Sequence, residues 1–275
     1  MRDQKAKGQA FRELHQQGTF VIPNPWDAGS ARLLEGLGFK ALATTSGGFA
    51  ISVGQVDGQP GRDAVLAHAA ALTRVTDAPI SADLENGFGE SPEEVAETIR
   101  RAAAAGLVGG SIEDYTGRTD EPLYAIAHAA DRVRAAAETA RGLGFPFTVT
   151  ARAENFLRGR PDLGDTIRRL QAYQEAGADV LYAPSLSAED IGTVVRAVDR
   201  PVNVLANSGG QKLSVAELAA LGVRRVSIGG LLAVVAYGAL MNAARELLEH
   251  GTFDFASEAA RGRGLKALLE KTPAS

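Results

Sequence analysis

Short apolar runs alternate along the chain with longer segments in which apolar residues recur every three or four positions. This alternation repeats eight times. The short runs are continuously apolar, which is typical of parallel strands with both faces buried. The predicted strands are 19–23, 39–45, 79–83, 108–113, 147–152, 179–183, 201–205 and 225–229. The predicted helices are about 27–37, 62–75, 92–105, one within 122–143, 163–176, 188–197, 214–221 and 231–250.

Polar residues mark the starts of several predicted helices. Ser91 precedes a first-turn proline and two acidic residues, and Ser214 with Glu217 fits a capping box. Eight strand–helix units in about 250 residues predict a (β/α)8 TIM barrel. An open doubly wound sheet is the alternative, but no G-x-G-x-x-G opens the helix after the first strand. We expect one domain over 1–275, with 251–275 as a C-terminal helical extension.

Composition narrows the classes of partner. The 29 basic and 33 acidic residues give a net charge of −4, so neither nucleic acid nor an anionic membrane is an expected partner. The chain has no cysteine, which excludes disulfides and zinc–thiolate sites. The first residues lack the apolar core of a signal peptide, and the apolar stretch 226–241 is short and glycine-rich for a membrane span. We therefore expect a cytoplasmic protein.

Acidic residues accumulate after the second, third and fourth predicted strands. They are Asp57, Asp83, Glu85 and Glu113. The carboxyl ends of barrel strands form the active-site face, so these carboxylates should share one mouth. Hard oxygen ligands without cysteine favour Mg²⁺ or Mn²⁺. The alternative is that some of these acids cap helices or pair with arginines at the rim.

One segment carries a recognisable motif. Asp83-Leu84-Glu85-Asn86-Gly87-Phe88-Gly89 resembles the D-x-D-x-G-[YF]-G motif of the isocitrate lyase/phosphoenolpyruvate mutase superfamily. Other elements follow in that family's order: Ser46-Gly47, Gly54-x-x-Asp57, Ser111-Ile112-Glu113-Asp114, Thr150-Ala151-Arg152-Ala153-Glu154 and Gly177-Ala178-Asp179. The resemblance covers about residues 11–249. Glu85 stands where the family usually has aspartate.

The resemblance implies a Mg²⁺ enzyme that acts on small 2-oxo or hydroxy carboxylates through a pyruvate-type enolate. It implies that Asp83 binds the metal directly. It implies that three further acids hold the metal's water ligands: Asp57, Glu85 and Glu113. The metal would neutralise charge that develops on the enolate oxygen.

The same resemblance assigns substrate contacts. Ser46 and Gly47 would hold the carboxylate or keto oxygen, and Arg152 would pair with the substrate's charged end. Asn207, at the end of the seventh predicted strand, is a further candidate for substrate binding. The final helix is exchanged between subunits in this family. Together with the apolar segment 231–240, this predicts a homo-oligomer, a dimer or tetramer.

The loop after the fourth strand departs from the family pattern. Lyases of the superfamily carry Lys-[KR]-Cys-Gly-His there, whereas residues 114–122 contain no thiol. C–C cleavage such as decarboxylation of an oxaloacetate-like acid is therefore favoured, because CO₂ leaves without a proton. Tyr115, Tyr182 or a bound water would protonate the enolate. Two alternatives are P–C chemistry on phosphonopyruvate, with Arg118 and Arg152 on the phosphonate, and a carboxylate-binding barrel without turnover.

Overall fold

The computed structural model describes residues 3–259 and 264–271. Eight parallel strands pair in the order β1-β8-β7-β6-β5-β4-β3-β2. They are β1 Phe20–Ile22, β2 Leu42–Ala43, β3 Ile80–Asp83, β4 Gly109–Glu113, β5 Thr148–Arg152, β6 Val180–Tyr182, β7 Val202–Leu205 and β8 Arg225–Ser227. A hydrogen bond from Ala43 N to Pro23 O (3.1 Å) links the two edge strands. The sheet is thus a nearly closed barrel, and the predicted (β/α)8 fold with added C-terminal helices is confirmed.

Helices cover the outside of this barrel. They are α1 Gln4–Leu14, α2 Ala28–Gly36, α3 Ser46–Ser52, α4 Arg62–Val75, α5 Pro92–Ala104, α6 Ile126–Arg141, α7 Leu163–Glu175, α8 Ala188–Ala197, α9 Val215–Ala220, α10 Leu231–Glu249, α11 Ala256–Ala259 and α12 Leu265–Lys271. The pattern did not predict α1 or α3. Strand β2 has two residues, instead of the seven expected over 39–45, because the chain turns into α3 at Ser46.

The helix starts follow the predicted capping chemistry. Ser91 Oγ accepts from Glu94 N (3.3 Å), and Glu94 Oε2 accepts from Ser91 N (3.0 Å). Ser214 and Glu217 make the same reciprocal pair at 3.3 and 2.8 Å. Each pair satisfies backbone donors that a first helical turn leaves free. These caps fix where a loop ends and so help to set the shape of the barrel's active-site face.

Two layers of side chains face opposite sides of the sheet. The layer between strands and helices is apolar and buried, with Leu42, Ile80, Ile112, Leu181 and Val204 among its members. The lumen is polar. Buried polar side chains there are Ser81, Thr150, Asn203, Arg225 and Ser227. Branched apolar residues usually fill such a lumen, so a polar lumen indicates a binding role rather than packing alone.

The C-terminal region lies outside the barrel. Helix α10 has 19 residues and mean hydropathy 1.4, with 6% of its apolar window buried. Within the described residues it is the one helix whose length and composition would allow it to cross a membrane. The stretch 226–241 considered in the sequence analysis only overlaps this helix, which begins at Leu231 and ends at Glu249. Helix α12 packs on α2, where Arg32 donates to Leu269 O. The predicted C-terminal extension over 251–275 contains α11 and α12, and its residues 260–263 and 272–275 lie outside the described part of the chain.

Candidate active site

Arg152 lies at the centre of a cluster of carboxylates. It is the last residue of β5, and the strand register places it beside Glu113, the last residue of β4. Its guanidinium lies 3.0 Å from Asp83 Oδ1, 3.1 Å from Glu113 Oε2 and 2.8 Å from Glu154 Oε1. Burial opposes the charge of Arg152, but the three carboxylates raise its pKa above the usual range. The structure therefore brings together the strand-end residues that the sequence singled out.

A second arginine, Arg158, joins this cluster from the loop after β5. Its Nη2 lies 3.2 Å from Glu113 Oε1, and its Nε lies 3.2 Å from Glu154 Oε2. Its guanidinium stacks 3.5 Å above the ring of Tyr115. The sequence analysis missed Arg158. The four-residue spacing from Glu154 was the available signal, because such a spacing brings opposite charges together within a helical turn.

Ser46 and Gly47 begin α3 at the mouth of the barrel, next to Asp57 and Asp83. Ser46 Oγ donates to Asp83 Oδ2 over 3.1 Å. A Cβ atom at Gly47 would lie 3.6 Å from the Asp57 carboxylate, so Gly47 and Asp57 are direct neighbours. Asp83 Oδ1 also accepts from Glu85 N at 3.2 Å. These contacts place Ser46, Gly47, Asp57 and Asp83 around one opening.

Glu85 has features that a bound cation would explain. Its backbone is left-handed, with φ 48°, and its buried Oε1 has no hydrogen-bond partner. Burial, then the Asp83 and Asp57 carboxylates, raise its pKa to about 7. Burial also raises the pKa of Glu113 well above its usual value. A divalent cation would favour the ionised carboxylates and so lower both pKa values again. An all-oxygen donor set is what Mg²⁺ and Mn²⁺ prefer.

The acids nevertheless do not form a closed metal cage. Among the described residues, no three acidic or histidine side chains converge closely enough to hold a metal ion by themselves. Arg152 and Arg158 instead occupy oxygens of Asp83, Glu113 and Glu154. This arrangement fits a metal with one direct protein ligand and water-mediated contacts to the other acids. Mg²⁺ usually keeps several water ligands in this way.

Two adjoining cavities open on this site. The first, here called the lumen pocket, has a volume of about 290 Å³ and reaches from the barrel mouth into the barrel. Its polar lining includes Asn24, Ser46, Asp57, Asp83, Arg152, Tyr182, Asn203, Arg225 and Ser227. The second, the rim pocket, has a volume of about 730 Å³ and is lined by Glu85, Glu113, Tyr115 and Arg158 among others. Ser46, Asp57 and Arg152 border both.

The remaining predicted residues differ in their placement. Tyr182 lies under the Arg152 guanidinium at 5.1 Å and lines the lumen pocket, and burial raises its pKa to about 12. Tyr115 lines the rim pocket. Asn207 is exposed, has φ 55° and lines neither pocket. Catalytic roles for the two tyrosines and substrate binding by Asn207 stay predictions, and the geometry favours the tyrosines.

Two supporting side chains that the candidate set omitted shape the site. Asn24 Nδ2 donates to Thr44 O (3.0 Å), and its Oδ1 accepts from the backbone N–H groups of Ile228 and Gly229. It thus ties together the loops after β1, β2 and β8. Asp114 is buried, and its Oδ1 accepts from Glu154 N at 2.9 Å. Asn24 follows the first predicted strand directly, which was the signal for it.

Parallel strands in a nearly closed barrel, with acids and a buried arginine at their carboxyl ends, define a TIM barrel with an enzyme-type site. The chain belongs to the phosphoenolpyruvate phosphomutase family, whose model matches residues 11–248. This confirms the superfamily membership indicated by the motif at residues 83–89.

Several known proteins resemble this chain. A crystal structure from Burkholderia cenocepacia J2315, assigned no more finely than lyase or mutase, is 56% identical, covers 99% of this chain and 98% of that one, and gives a TM-score of 0.95. The 2-methylisocitrate lyase of Escherichia coli K12 is 31% identical over 66% of this chain and 62% of its own. Oxaloacetate acetylhydrolase, solved with the product oxalate, is 26% identical with TM-score 0.86, covering 98% and 96%. These relatives support a lyase or mutase role.

Proposed function

We propose that this protein is a Mg²⁺- or Mn²⁺-dependent lyase that acts on a small 2-oxo or hydroxy carboxylic acid through an enolate. Cleavage of a C–C bond, such as decarboxylation of an oxaloacetate-like acid, is the favoured reaction. One observation carries the proposal. The buried Glu85 Oε1, which has no hydrogen-bond partner, lies with Asp57, Asp83 and Glu113 around the two adjoining pockets that Arg152 borders.

Acidic residues would hold the metal, whereas polar and basic residues bind the substrate. When bound, the metal supplies positive charge that stabilises a developing enolate oxygen. Asp83 would hold it directly, while Asp57, Glu85 and Glu113 would orient its water ligands. Ser46 and Gly47, beside Asp83, hold the substrate carboxylate or keto oxygen. Arg152 binds the charged end, because its guanidinium lies between the acids and the lumen pocket.

Protonation of the product carbon needs a donor inside the cavity. Tyr182 lines the lumen pocket and Tyr115 the rim pocket, so each phenol is available on one side. Burial keeps Tyr182 protonated at neutral pH, since its pKa rises to about 12. A phenol in that state donates a hydrogen bond and gives up its proton only to a strong base. The carbon of an enolate in the cavity would be such an acceptor.

The position of Arg118 favours C–C over P–C chemistry. A phosphonate site would use Arg118 together with Arg152. Arg118 is half-exposed, its guanidinium faces Glu90 and Glu121 at 3.7 and 3.8 Å, and it lines neither pocket. The similarity to oxaloacetate acetylhydrolase points the same way, because that protein's product is oxalate.

Thermal unfolding with each metal, with and without oxalate, tests the proposal. Oxalate mimics the enolate of pyruvate, and a ligand at 100 times its Kd should stabilise the fold by about 2.7 kcal/mol. We expect a shift that requires metal and oxalate together.

Oxaloacetate-like acids are then assayed for pyruvate, acetate and oxalate, and phosphonopyruvate for phosphate and phosphoenolpyruvate. Formation of phosphate or phosphoenolpyruvate from phosphonopyruvate, with no C–C cleavage product from the other acids, would move the assignment to P–C chemistry. Tight oxalate binding without turnover of any acid would support the alternative of a carboxylate-binding barrel without catalytic activity.

We also propose that the protein is a homo-oligomer that associates through α10. Several apolar side chains on this helix are exposed, with Val235 and Leu240 both at 63%. Val235→Glu should lower the molar mass measured by light scattering after gel filtration. Leu37→Glu is the matched control, because Leu37 is 64% exposed on α2's C-terminal side. An unchanged mass for Val235→Glu, or a monomeric wild type, would contradict the proposal.

A further inference from the structure

Arg225 is a buried cation in the barrel lumen with a distinctive set of partners. It begins β8 and is 5% exposed. Its Nε donates to Asn203 Oδ1 (2.8 Å), its Nη2 donates to Thr150 Oγ1 (3.0 Å), and its Nη1 lies 3.3 Å from His15 Nε2. Thr150 belongs to β5, so the guanidinium reaches across the lumen from β8 to a strand three positions away in the sheet.

All of these partners are neutral. His15 Nδ1 lies 2.8 Å from Phe11 O, and donation there leaves Nε2 free to accept from Arg225. Burial, and then the charge of Arg225, lower the pKa of His15 to about 3, so it is uncharged at neutral pH. Within the described part of the chain, no carboxylate lies at ion-pair distance from Arg225. Burial lowers the pKa of Arg225 only to about 10, so its charge persists.

An isolated buried cation is costly, and such charges usually pair with an anion. Arg225 lines the lumen pocket, whose mouth carries Ser46, Gly47 and Asp83. Each terminal nitrogen of a guanidinium has two N–H groups, and each of those of Arg225 has one protein partner. One N–H group on each terminal nitrogen therefore remains available to a ligand in the cavity, together with the positive charge.

We propose that Arg225 is a specificity-determining residue, the fixed cation at the floor of the lumen pocket that selects a short dianionic substrate. The inference rests on the proposed function and adds the substrate's charge class. One negative group would lie at the metal and Arg152, and the second would be attracted towards Arg225. A pocket of about 290 Å³ accommodates a short dicarboxylate and excludes nucleotides.

The test measures the Kd of oxalate at saturating Mg²⁺, and the Kd of Mg²⁺ alone, by calorimetry at a temperature where every variant is folded. Arg225→Gln removes the charge. Asn203→Asp keeps the arginine but places a carboxylate where the amide oxygen now lies, 2.8 Å from Nε. Asn203→Asp neutralises the cation without removing its side chain, so it serves if Arg225→Gln does not fold. Arg225→Lys retains the charge. Arg224→Gln is the matched control, because that neighbouring arginine contacts Gly18 O at the surface.

We expect Arg225→Gln and Asn203→Asp to weaken oxalate binding at least tenfold while Mg²⁺ binds more tightly. Arg225→Lys should stay within about threefold of wild type, which would separate charge from packing. Equal oxalate affinity in wild type, Arg225→Gln and Asn203→Asp would overturn the inference. So would parallel weakening of oxalate and Mg²⁺, because that pattern indicates a merely structural role.

Failure of the proposed function gives a different pattern. If the wild type binds no oxalate with either metal, the lyase proposal fails. The charge of Arg225 is then tested on Mg²⁺ alone. The Kd of Mg²⁺ should fall in Arg225→Gln and stay constant in Arg224→Gln, because removing a cation from the lumen relieves its repulsion of Mg²⁺ at the mouth. An unchanged Kd in Arg225→Gln would overturn the inference as well.

Discussion

Two buried arginines in this barrel have opposite surroundings. Arg152 contacts three carboxylates, and these raise its pKa above the usual range. Arg225 contacts only neutral groups among the described residues, and burial lowers its pKa to about 10. The charge of Arg152 is shared among three carboxylates at the edge of the pocket, whereas the charge of Arg225 faces the lumen pocket without an acidic partner among the described residues.

Because of this contrast, the charge of the site changes from negative at the mouth to positive in the lumen. At the mouth, the carboxylates of Asp57, Asp83, Glu85, Glu113 and Glu154 outnumber the guanidiniums of Arg152 and Arg158. In the lumen, the positive charge of Arg225 lacks a carboxylate partner in the described chain. A cation at the mouth and an anion extending inward would satisfy both regions. A divalent metal with a small dianionic acid has this charge pattern.

Removing the central acid of the mouth should have the largest effect. Asp83→Ala should abolish the joint stabilisation by Mg²⁺ and oxalate and lower kcat/KM for the active acid about 10⁴-fold, because metal stabilisation of the transition state contributes several kcal/mol. Steady-state kinetics and thermal unfolding measure the two effects. Asp63→Ala, at an exposed acid on α4 paired with Arg101, is the control. Full activity of Asp83→Ala with 2-oxo acids would remove the metal site from the reaction.

Truncating each arginine to methionine compares the regions directly. Arg152→Met leaves Asp83 without an arginine partner and leaves Glu113 and Glu154 with Arg158 alone, so the free energy of unfolding at pH 7.5 should fall by about 3–5 kcal/mol, and Mg²⁺ should restore part of it. Arg225→Met loses three hydrogen bonds but also removes an unpaired charge, so we expect a smaller loss of about 1–3 kcal/mol. Urea unfolding followed by circular dichroism gives both values. A larger loss for Arg225→Met would show that the neutral lumen network holds the barrel more firmly than the ion cluster.

The neutral state of His15 predicts a pH effect confined to the lumen. The pKa is 6.5 when unfolded and about 3 when folded, so the unfolded chain binds the extra proton below pH 6.5. Stability due to His15 is present above pH 6.5 and is lost as the pH falls towards 3, by about 2–3 kcal/mol at pH 4.5. His15→Gln should flatten the unfolding free energy between pH 7 and 4.5. The exposed His250→Gln should keep the wild-type slope, and equal slopes for all three proteins would refute the buried neutral histidine.

The mouth could be predicted from sequence far better than the lumen. The apolar alternation predicted the strands, and their carboxyl ends supplied Asp83, Glu113 and Arg152. Arg225 escaped because its contacts reach Thr150 and His15, 75 and 210 positions away, and no local pattern encodes them. Helix α3 escaped because Ser-Gly-Gly has low helix propensity, although the Thr45 cap allows it. Asn207 was inferred from its strand end, but a left-handed backbone leaves it exposed.

The contact between Arg158 and Tyr115 offers the smallest and most selective test of the mouth. The guanidinium lies 3.5 Å from the ring centroid while also pairing with Glu113 and Glu154. Tyr115→Leu removes the aromatic face and should cost about 0.5–1 kcal/mol of unfolding free energy. Tyr115→Phe keeps the face and should cost less than half of that.

If the phenol is also the proton donor, Tyr115→Phe should lower kcat about 10²-fold or more with that same near-normal stability. Unchanged kcat in Tyr115→Phe would assign proton transfer to Tyr182 or water and leave Tyr115 only as a support for Arg158.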